Sequence, residues 1–221
     1  MSAAAHRVSR RLFLAGVGAA ATSGLACAHG QNRASAGDPT AEAKRVLVDV
    51  ASIPVDFVAR QRLAGSMGEH SLSSDVVLQK QGATLTLIGL TPFGTKAFAL
   101  IQEGLEISFE AFVDAALPFP PELMLADIHR TLFLGVDDGG AAPADGRRRL
   151  RLAGERIDET WSGGRLVRRS YKRRGGGGPK GPILIDYGDG MEGRTPPPKI
   201  VIDNQRFGYT VTIETVTYQP L

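Results

Sequence analysis

Short segments in which apolar and polar residues alternate recur along most of this chain of 221 residues. Residues 105–110 place Leu105, Ile107 and Phe109 on one face and polar residues on the other, and residues 207–218 repeat the pattern. Alternation with a period of two is typical of β-strands that have one buried face. The segments predicted as strands are 55–63, 71–80, 83–90, 95–102, 105–110, 149–153, 156–161, 165–172, 182–187, 199–203 and 207–218.

Residues 121–133 form the one convincing predicted helix. Pro121 suits the first helical turn, and Leu125, Ile128 and Leu132 form an apolar stripe. Many short antiparallel strands with one or two helices indicate a curved sheet or open barrel packed on a helix. The predicted fold class is mainly β (α+β), with a curved antiparallel sheet that forms an open half-barrel closed by one or two helices.

The predicted strand 83–90 is apolar on both faces, since Leu85 and Leu87 share one face while Ile88 and Leu90 take the other. Such a strand is either covered on both sides within a filled interior, or borders a half-open barrel with an apolar and partly unfilled interior. Periodicity leaves both readings open. In the second case the candidate lining residues are Leu85, Leu87, Ile107, Phe109, Tyr209 and Val211.

The first 26 residues have the layout of an export signal. Arg7, Arg10 and Arg11 precede the apolar run 12–21, which is too short to span a bilayer. The segment 9–14 resembles the twin-arginine signature, in which Arg10 and Arg11 are read by the translocase that exports folded proteins. A general secretory signal with a chance arginine pair is the alternative.

The only cysteine of the chain, Cys27, follows this apolar run directly and cannot form an internal disulfide. It resembles the lipobox cysteine of bacterial lipoproteins, with Ala26 as the small residue before the cleavage site and Gly24 departing from the usual leucine. The resemblance implies a lipid anchor, and Ala28 in place of aspartate implies the periplasmic face of the outer membrane. A soluble periplasmic protein cleaved near Ala26 or Ala28 is the alternative.

The domain boundaries follow from these assignments. Residues 27–42 are predicted as a lipidated cysteine with a flexible tether, because residues 28–42 are small and polar without apolar periodicity. Residues 43–221 are predicted as one β-rich domain, which we expect to be a monomer.

Charge is spread unevenly along the chain. The net charge of +3 comes from the export signal, since the remaining chain carries 23 basic and 23 acidic groups, and we expect no nucleic-acid partner. Residues 147–180, however, include twelve basic residues and only three acidic ones, Glu155, Asp158 and Glu159. A positive face of this kind suits anionic membrane head groups, and a solvated sheet surface is the alternative.

Motifs for catalysis or metal binding are missing from the sequence. It has no Gly-x-Ser-x-Gly elbow and no His-x-x-x-His pair. The glycine-rich run 175–181 lacks the residues that flank the lysine of a phosphate loop. His129 is expected on the helix surface or near a helix end. We therefore expect no catalytic residue, no metal and no cofactor.

Residues 85–98 resemble the part of the LolA/LolB carrier superfamily in which a strand runs into a Pro-Leu-Gly turn. Pro92, Phe93 and Gly94 match that turn, with Phe93 in the place of the leucine. Residues 117–133 and 196–218 resemble the helical segment and the closing strands of the same superfamily. The resemblance implies a LolB-like fold in which 92–94 is a ligand-transfer loop, since the leucine of LolB projects into solvent and assists lipoprotein transfer into the outer membrane.

Three phrases of the sequence, at 87–94, 125–129 and 203–215, resemble an uncharacterised outer-membrane lipoprotein family often encoded beside aryl polyene biosynthesis genes. This resemblance implies a non-enzymatic lipoprotein that binds a lipid, or an acylated or polyene-type ligand, and assists its transfer. The alternatives are an envelope enzyme acting on lipids, such as a hydrolase or acyltransferase, and a structural lipoprotein with a filled barrel.

Overall fold

The computed structural model describes residues 39–114, 117, 120–135, 143–175 and 179–221. Arg10, Arg11, Cys27 and residues 28–38 of the predicted tether lie outside these residues. Their assignments to export, lipidation and tethering therefore stay predictions.

The described part of the chain is built on one antiparallel sheet. Each predicted strand segment corresponds to one strand of the structure: β1 Phe57–Met67, β2 His70–Gln81, β3 Thr84–Leu90, β4 Lys96–Glu103, β5 Glu106–Ala111, β6 Gly146–Leu152, β7 Glu155–Ser162, β8 Arg165–Arg173, β9 Ile183–Met191, β10 Lys199–Asn204 and β11 Tyr209–Pro220. Their order in the sheet is β5-β4-β3-β2-β1-β11-β10-β9-β8-β7-β6. Within the described residues β5 and β6 are its edges, and the sheet does not close. The mainly β prediction is confirmed.

Two short helices accompany the sheet. Helix α1 covers Pro39–Val46, and α2 covers Pro121–Ile128 and continues as a wider π-helical turn over His129–Phe133. The predicted helix 121–133 is therefore present, but its second part is not α-helical. Residues 39–42 of the predicted tether belong to α1, which the sequence analysis missed. No helix of the described ranges is both long and apolar enough to cross a membrane.

The sheet curves around α2 and its π-helical turn. Gln102 on β4 hydrogen-bonds His129 over 2.6 Å, while Arg169 on β8 donates to the carbonyl oxygen of Arg130, the next residue, over 3.1 Å. Strands β4 and β8 are seven positions apart in the sheet. In a flat sheet they would lie about 34 Å apart, at about 4.8 Å per strand. Side chains cannot reach one helical turn across that distance, so the sheet must bend around it as an open half-barrel.

The face of the sheet that packs against α2, here called the inner face, carries the core. Leu85 and Leu87 are fully buried on this face, whereas Ile88 and Leu90 are half-buried on the outer face. Gly89 belongs to the inner face too, and a Cβ atom there would lie 2.1 Å from the Phe98 ring. A side chain at Gly89 would therefore displace Phe98 from the core.

Candidate functional site

A small apolar cavity lies between the inner face and α2. Its apolar lining comes from five strands and the helix: Leu63, Val76, Leu87, Met124, Ile128, Ile202, Val211 and Ile213. Three of the six predicted lining residues, Leu87, Tyr209 and Val211, border this cavity. The cavity thus lies against the five central strands of the sheet.

The other three predicted lining residues lie elsewhere. Leu85 is buried in the core away from the cavity, and Ile107 is half-buried against the core. Phe109 is 42% exposed, beside Phe98 at a ring distance of 6.0 Å. Both Ile107 and Phe109 belong to the edge strand β5. An edge strand has a neighbour on one side only, which is why its inner-face residues are less covered than those of β3.

The cavity volume is about 40 Å³. A water molecule occupies about 30 Å³ of liquid, and pockets for drug-sized ligands are about 300–1,000 Å³. The space therefore has room for about one water molecule. An acyl chain requires the interior to open, and α2 covers the cavity from the side opposite the sheet.

One end of the cavity is polar. The Tyr209 hydroxyl donates to the Asp127 carboxylate over 2.6 Å, and the Asn204 amide donates to the Tyr209 oxygen over 2.7 Å. Burial raises the pKa of Asp127, and the positive charge of Arg130 opposes this shift. Burial, together with the Asp127 carboxylate, also raises the pKa of Tyr209. Gln61 also lines the cavity, but it pairs with Thr215, six residues from Tyr209 along β11, so Asp127 and Tyr209 form the polar end of a mostly apolar lining.

The carboxyl end of the helix is held by polar side chains of β8 and β9. Arg169 donates to the carbonyl oxygens of Arg130 and Leu134, and the Tyr171 hydroxyl donates to Arg130 as well. The Tyr187 hydroxyl donates to the carbonyl oxygen of Thr131 over 2.9 Å. A helix end leaves its last carbonyl groups without intrahelical partners, so these bonds fix the end of the helix to the sheet.

Buried ion pairs support this attachment. Arg169 pairs with Glu159 over 2.8 Å, and Arg130 pairs with Glu155 over 3.3 Å. Glu159 also accepts hydrogen bonds from Arg148 and from the indole of Trp161. Burying charge is costly unless it is paired and hydrogen-bonded, and here each carboxylate has at least two donors.

His129 is buried and not on the helix surface, and it lies at the carboxyl end of α2, which is the second of the two positions expected for it. Its Nδ1 atom accepts a hydrogen bond from the Val48 amide over 3.1 Å, and its Nε2 atom lies 2.6 Å from the Gln102 side-chain oxygen. Nε2 therefore carries the proton of a neutral imidazole. Burial lowers the pKa of His129 from 6.5 to about 3.

The ligand-transfer loop predicted at Pro92, Phe93 and Gly94 forms the tight turn between β3 and β4. The Gly94 amide donates to the Thr91 carbonyl, and Gly94 has a φ of +79°, in the left-handed region that favours glycine. Phe93 is 93% exposed at the tip. The structure thus presents a large apolar side chain to solvent at this turn, and its role in transfer stays a prediction.

The basic region 147–180 divides between the two faces of the sheet. Alternate residues of β6 to β8 form a basic surface on the outer face: Arg147, Arg149, Arg151, Arg156, Arg168 and Lys172. Arg149 and Arg156 both pair with Asp158 there. Arg148 and Arg169 instead point inward to Glu159, so part of the predicted positive field is neutralised inside the core.

The buried ion pairs were not predicted from the sequence, although a signal was present. Strand β7 places Glu155 and Glu159 in the same period-two stripe as Ile157 and Trp161. A carboxylate within an apolar stripe requires a buried cationic partner. Within the described ranges, no three His, Cys, Asp or Glu side chains come together in a way that could hold a metal ion.

Residues 58–217 match the family described as protein of unknown function (DUF3261). The chain belongs to this family. No curated protein matches the chain.

Two solved structures are similar to this family member. One is a LolA-superfamily protein from Nitrosomonas europaea, at 10% sequence identity and a TM-score of 0.42, with 82% of this chain and 91% of that chain covered. The other is a DUF1329 family protein from Desulfovibrio piger, at 10% identity and a TM-score of 0.32, with the same coverage of both chains.

Proposed function

We propose that this chain is a lipoprotein carrier of the cell envelope that binds a hydrophobic ligand between the inner face of its sheet and α2. The observation that carries the proposal is the apolar cavity with its polar end at Asp127 and Tyr209. An amphipathic molecule would match this lining once the interior has opened, with its chain along Leu63, Val76 and Leu87 and its polar group at Asp127 and Tyr209. The motif resemblance of residues 85–98 to lipoprotein carriers supports the same class of ligand, an acyl or polyene-type chain.

Loading requires α2 to move, and the attachment of the helix is uneven. Its carboxyl end is fixed by Arg169, Tyr171 and Tyr187. Its first turn has no side-chain cap at Pro120, and Glu122 accepts one long hydrogen bond there, from Thr40 of α1 over 3.4 Å. The contacts of Leu123 and Met124 with the core are apolar, and an acyl chain that replaces these contacts restores the same kind of burial. The amino-terminal half of α2 therefore swings outward while the π-helical turn stays on the sheet.

The remaining parts of the proposal concern location. Export through Arg10 and Arg11 and lipidation of Cys27 would hold the domain at the periplasmic face of the outer membrane, as a monomer beside its lipid ligand. The basic surface of β6 to β8 is a second candidate contact with that membrane. The work is transfer of the ligand between binding sites, with no bond broken.

A structural lipoprotein with a filled interior is the second candidate function, and the cavity volume of about 40 Å³ favours it. The two functions differ in whether the interior accepts an apolar probe. Native mass spectrometry of the full chain, extracted from its host membrane in mild detergent, detects a co-purifying lipid in the first case and none in the second.

Binding of a fluorescent fatty acid to the full chain gives the quantitative test. Leu87→Phe fills the cavity, and we expect it to weaken binding at least tenfold, equivalent to about 1.4 kcal/mol. Ile88→Phe is the matched control, because it makes the same kind of change at the next residue on the outer face, and we expect it to bind like the original chain. Equal binding by both variants would place the probe outside the cavity, and no binding by the unchanged chain would favour the structural function.

A further inference from the structure

A depression lies on the outer face of the sheet beside the Phe93 turn. Arg60 and Arg62 of β1 form one side, residues 73–75 of β2 form the floor, and residues 90–94 form the other side. Its volume is about 560 Å³, within the range of about 300–1,000 Å³ typical of small-molecule sites. This depression is separate from the cavity under α2, which lies on the opposite face.

The charges in the depression favour an anion. Asp75 lies 3.1 Å from the guanidinium of Arg60 and 3.8 Å from that of Arg62, so one carboxylate faces two arginines. Both arginine side chains are more than half exposed. A guanidinium has five N–H donors in a planar fork that matches phosphate oxygens, and a single carboxylate cannot occupy the donors of two arginines. The depression therefore keeps a net positive charge and donors for a phosphate group.

Phe93 gives the depression an apolar rim. Phe93 is 93% exposed. Exposing a large apolar side chain to water is unfavourable, and contact with a membrane or ligand would remove the ring from water. At a bilayer surface the ring can enter the acyl region while cationic groups beside it stay at the level of the phosphates. Arg60 and Arg62 thus suit the phosphate of an anionic phospholipid, and Phe93 suits its acyl chains.

We propose that the depression formed by Arg60, Arg62 and the Phe93 turn binds the phosphate head group of an anionic phospholipid in the acceptor membrane. The inference rests on the proposed function, since it makes the transfer loop the place where the carrier meets the bilayer. It goes further by naming the lipid class and two residues that recognise it. It also orients the outer face of β1 to β3, rather than that of β6 to β8, toward the membrane.

The test measures binding of the full chain carrying Cys27→Ala, which removes the proposed anchor, to phospholipid vesicles. We expect it to float with vesicles of phosphatidylglycerol and phosphatidylethanolamine, and at least tenfold less with phosphatidylcholine vesicles. Arg60→Gln with Arg62→Gln should weaken binding to the anionic vesicles about thirtyfold, since each basic residue near such a surface contributes about 1 kcal/mol. Arg147→Gln with Arg151→Gln removes the same charge from β6 and serves as the matched control, with an expected change below threefold.

Three outcomes would overturn the inference. Equal weakening by the two double variants would mean that binding follows total charge, and weakening by the β6 variant alone would assign the membrane contact to that surface. Release of the chain from vesicles by millimolar inorganic phosphate would mean that a free anion, and not a lipid, is the ligand. Unfolding midpoints in urea identify any variant that binds weakly because it is unfolded. Arg60→Lys with Arg62→Lys keeps the charge and should bind the anionic vesicles better than the glutamine variant does.

The same preparations separate this inference from the proposed function. Fatty-acid binding in the cavity under α2 should be unchanged by Arg60→Gln with Arg62→Gln. If the unchanged chain takes up no fatty acid but the vesicle results hold, the carrier function fails and the head-group site stands. If fatty-acid binding holds and the two double variants float alike, the head-group site fails and the carrier function stands.

Discussion

Acidification should destabilise the fold through His129 before the arginine-paired carboxylates lose their contribution to stability. The imidazole is buried, accepts from the Val48 amide and hydrogen-bonds Gln102, which in turn donates to the carbonyl oxygens of Val48 and Gly104. Protonation would place a donor on Nδ1, opposite the donor of Val48, and would bury a charge. The link between the segment before β1 and the helix therefore depends on a neutral imidazole.

The sign and size of the effect follow from the two pKa values. In the unfolded chain the pKa of His129 is 6.5, and in the folded chain it is about 3. Between these values the unfolded state binds more protons, so the free energy of unfolding falls as the pH falls. From pH 7 to pH 5 the loss is about 2 kcal/mol, and by pH 3 it approaches about 4–5 kcal/mol, at about 1.4 kcal/mol per unit of pKa difference.

Between pH 5 and pH 7 the effect of His129 on stability can be measured apart from that of the arginine-paired carboxylates. Hydrogen bonds from Arg149 and Arg168 lower the pKa values of Asp158 and Asp186 below 3.8, so the stability that these pairs contribute is lost only as the pH falls through about 4 and below. Asp127 acts in the opposite direction, because its raised pKa lets the folded state bind a proton first. A comparison with a His129 variant removes this contribution, since both chains keep Asp127.

Urea unfolding at several pH values measures the effect. His129→Gln should be less stable than the original chain at pH 7, because it loses the fitted hydrogen bonds of the imidazole, but its stability should change by less than about 0.5 kcal/mol between pH 7 and pH 5, apart from changes common to both chains. The original chain should lose about 2 kcal/mol more than the variant over the same interval. Parallel pH dependences for the two chains would refute the argument that His129 is held neutral by burial.

Three further predictions concern the transfer loop, the anchor and the export route. Phe93→Glu should change the thermal midpoint by no more than about 2 °C, because the ring buries little surface, but should slow delivery of bound lipid to acceptor liposomes. Truncation of a core phenylalanine would instead cost about 3–5 kcal/mol. A loss of that size, or an unaltered transfer rate, would contradict the role of the loop. Cys27→Ala should move the protein from the membrane to the soluble periplasmic fraction, and retention on membranes after a high-salt wash would show that another anchor dominates. Arg10→Lys with Arg11→Lys keeps the charge but removes the guanidinium geometry, so export measured by fractionation should fail on the twin-arginine route, whereas unchanged export would assign the signal to the general secretory route.

The strands could be predicted from the sequence because an open sheet with one buried face leaves a period-two pattern along every strand. Even β5 follows the pattern, although its residues Ile107 and Phe109 are only partly covered. The pattern says which face a residue takes, but not how far along the sheet the helix reaches. This is why Leu87 and Val211 lie beside the cavity while Phe109 does not.

Helix α1 could not be predicted in the same way. Its residues are mostly small or charged, and among those whose burial the structure describes, Ala43 and Val46 reach the core. Two buried positions give no detectable periodicity, so the helix depends on tertiary packing against α2 rather than on its own amphipathic stripe.

The partners of the buried charges were also beyond the sequence pattern. Glu159 and Arg169 are ten residues apart on adjacent strands, but Arg130, whose carbonyl oxygen completes the cluster, is far from both in the chain. A stripe that contains a carboxylate indicates that a cation is needed, and only the pairing register and the position of the helix show which one.

The pairing of Glu159 opposite Arg169 also restricts how β7 and β8 can align during folding. A slip of one residue would turn every side chain of β8 to the other face. A slip of two would bring Val167 or Tyr171 opposite Glu159 and separate it from Arg169, leaving Arg148 and Trp161 as its donors. Apolar residues alone would tolerate such a slip more easily, because one aliphatic contact substitutes for another. The Glu159–Arg169 pair thus favours one register of the β7–β8 hairpin, and in that register Arg169 also reaches the carbonyl oxygens of Arg130 and Leu134 at the end of the helix.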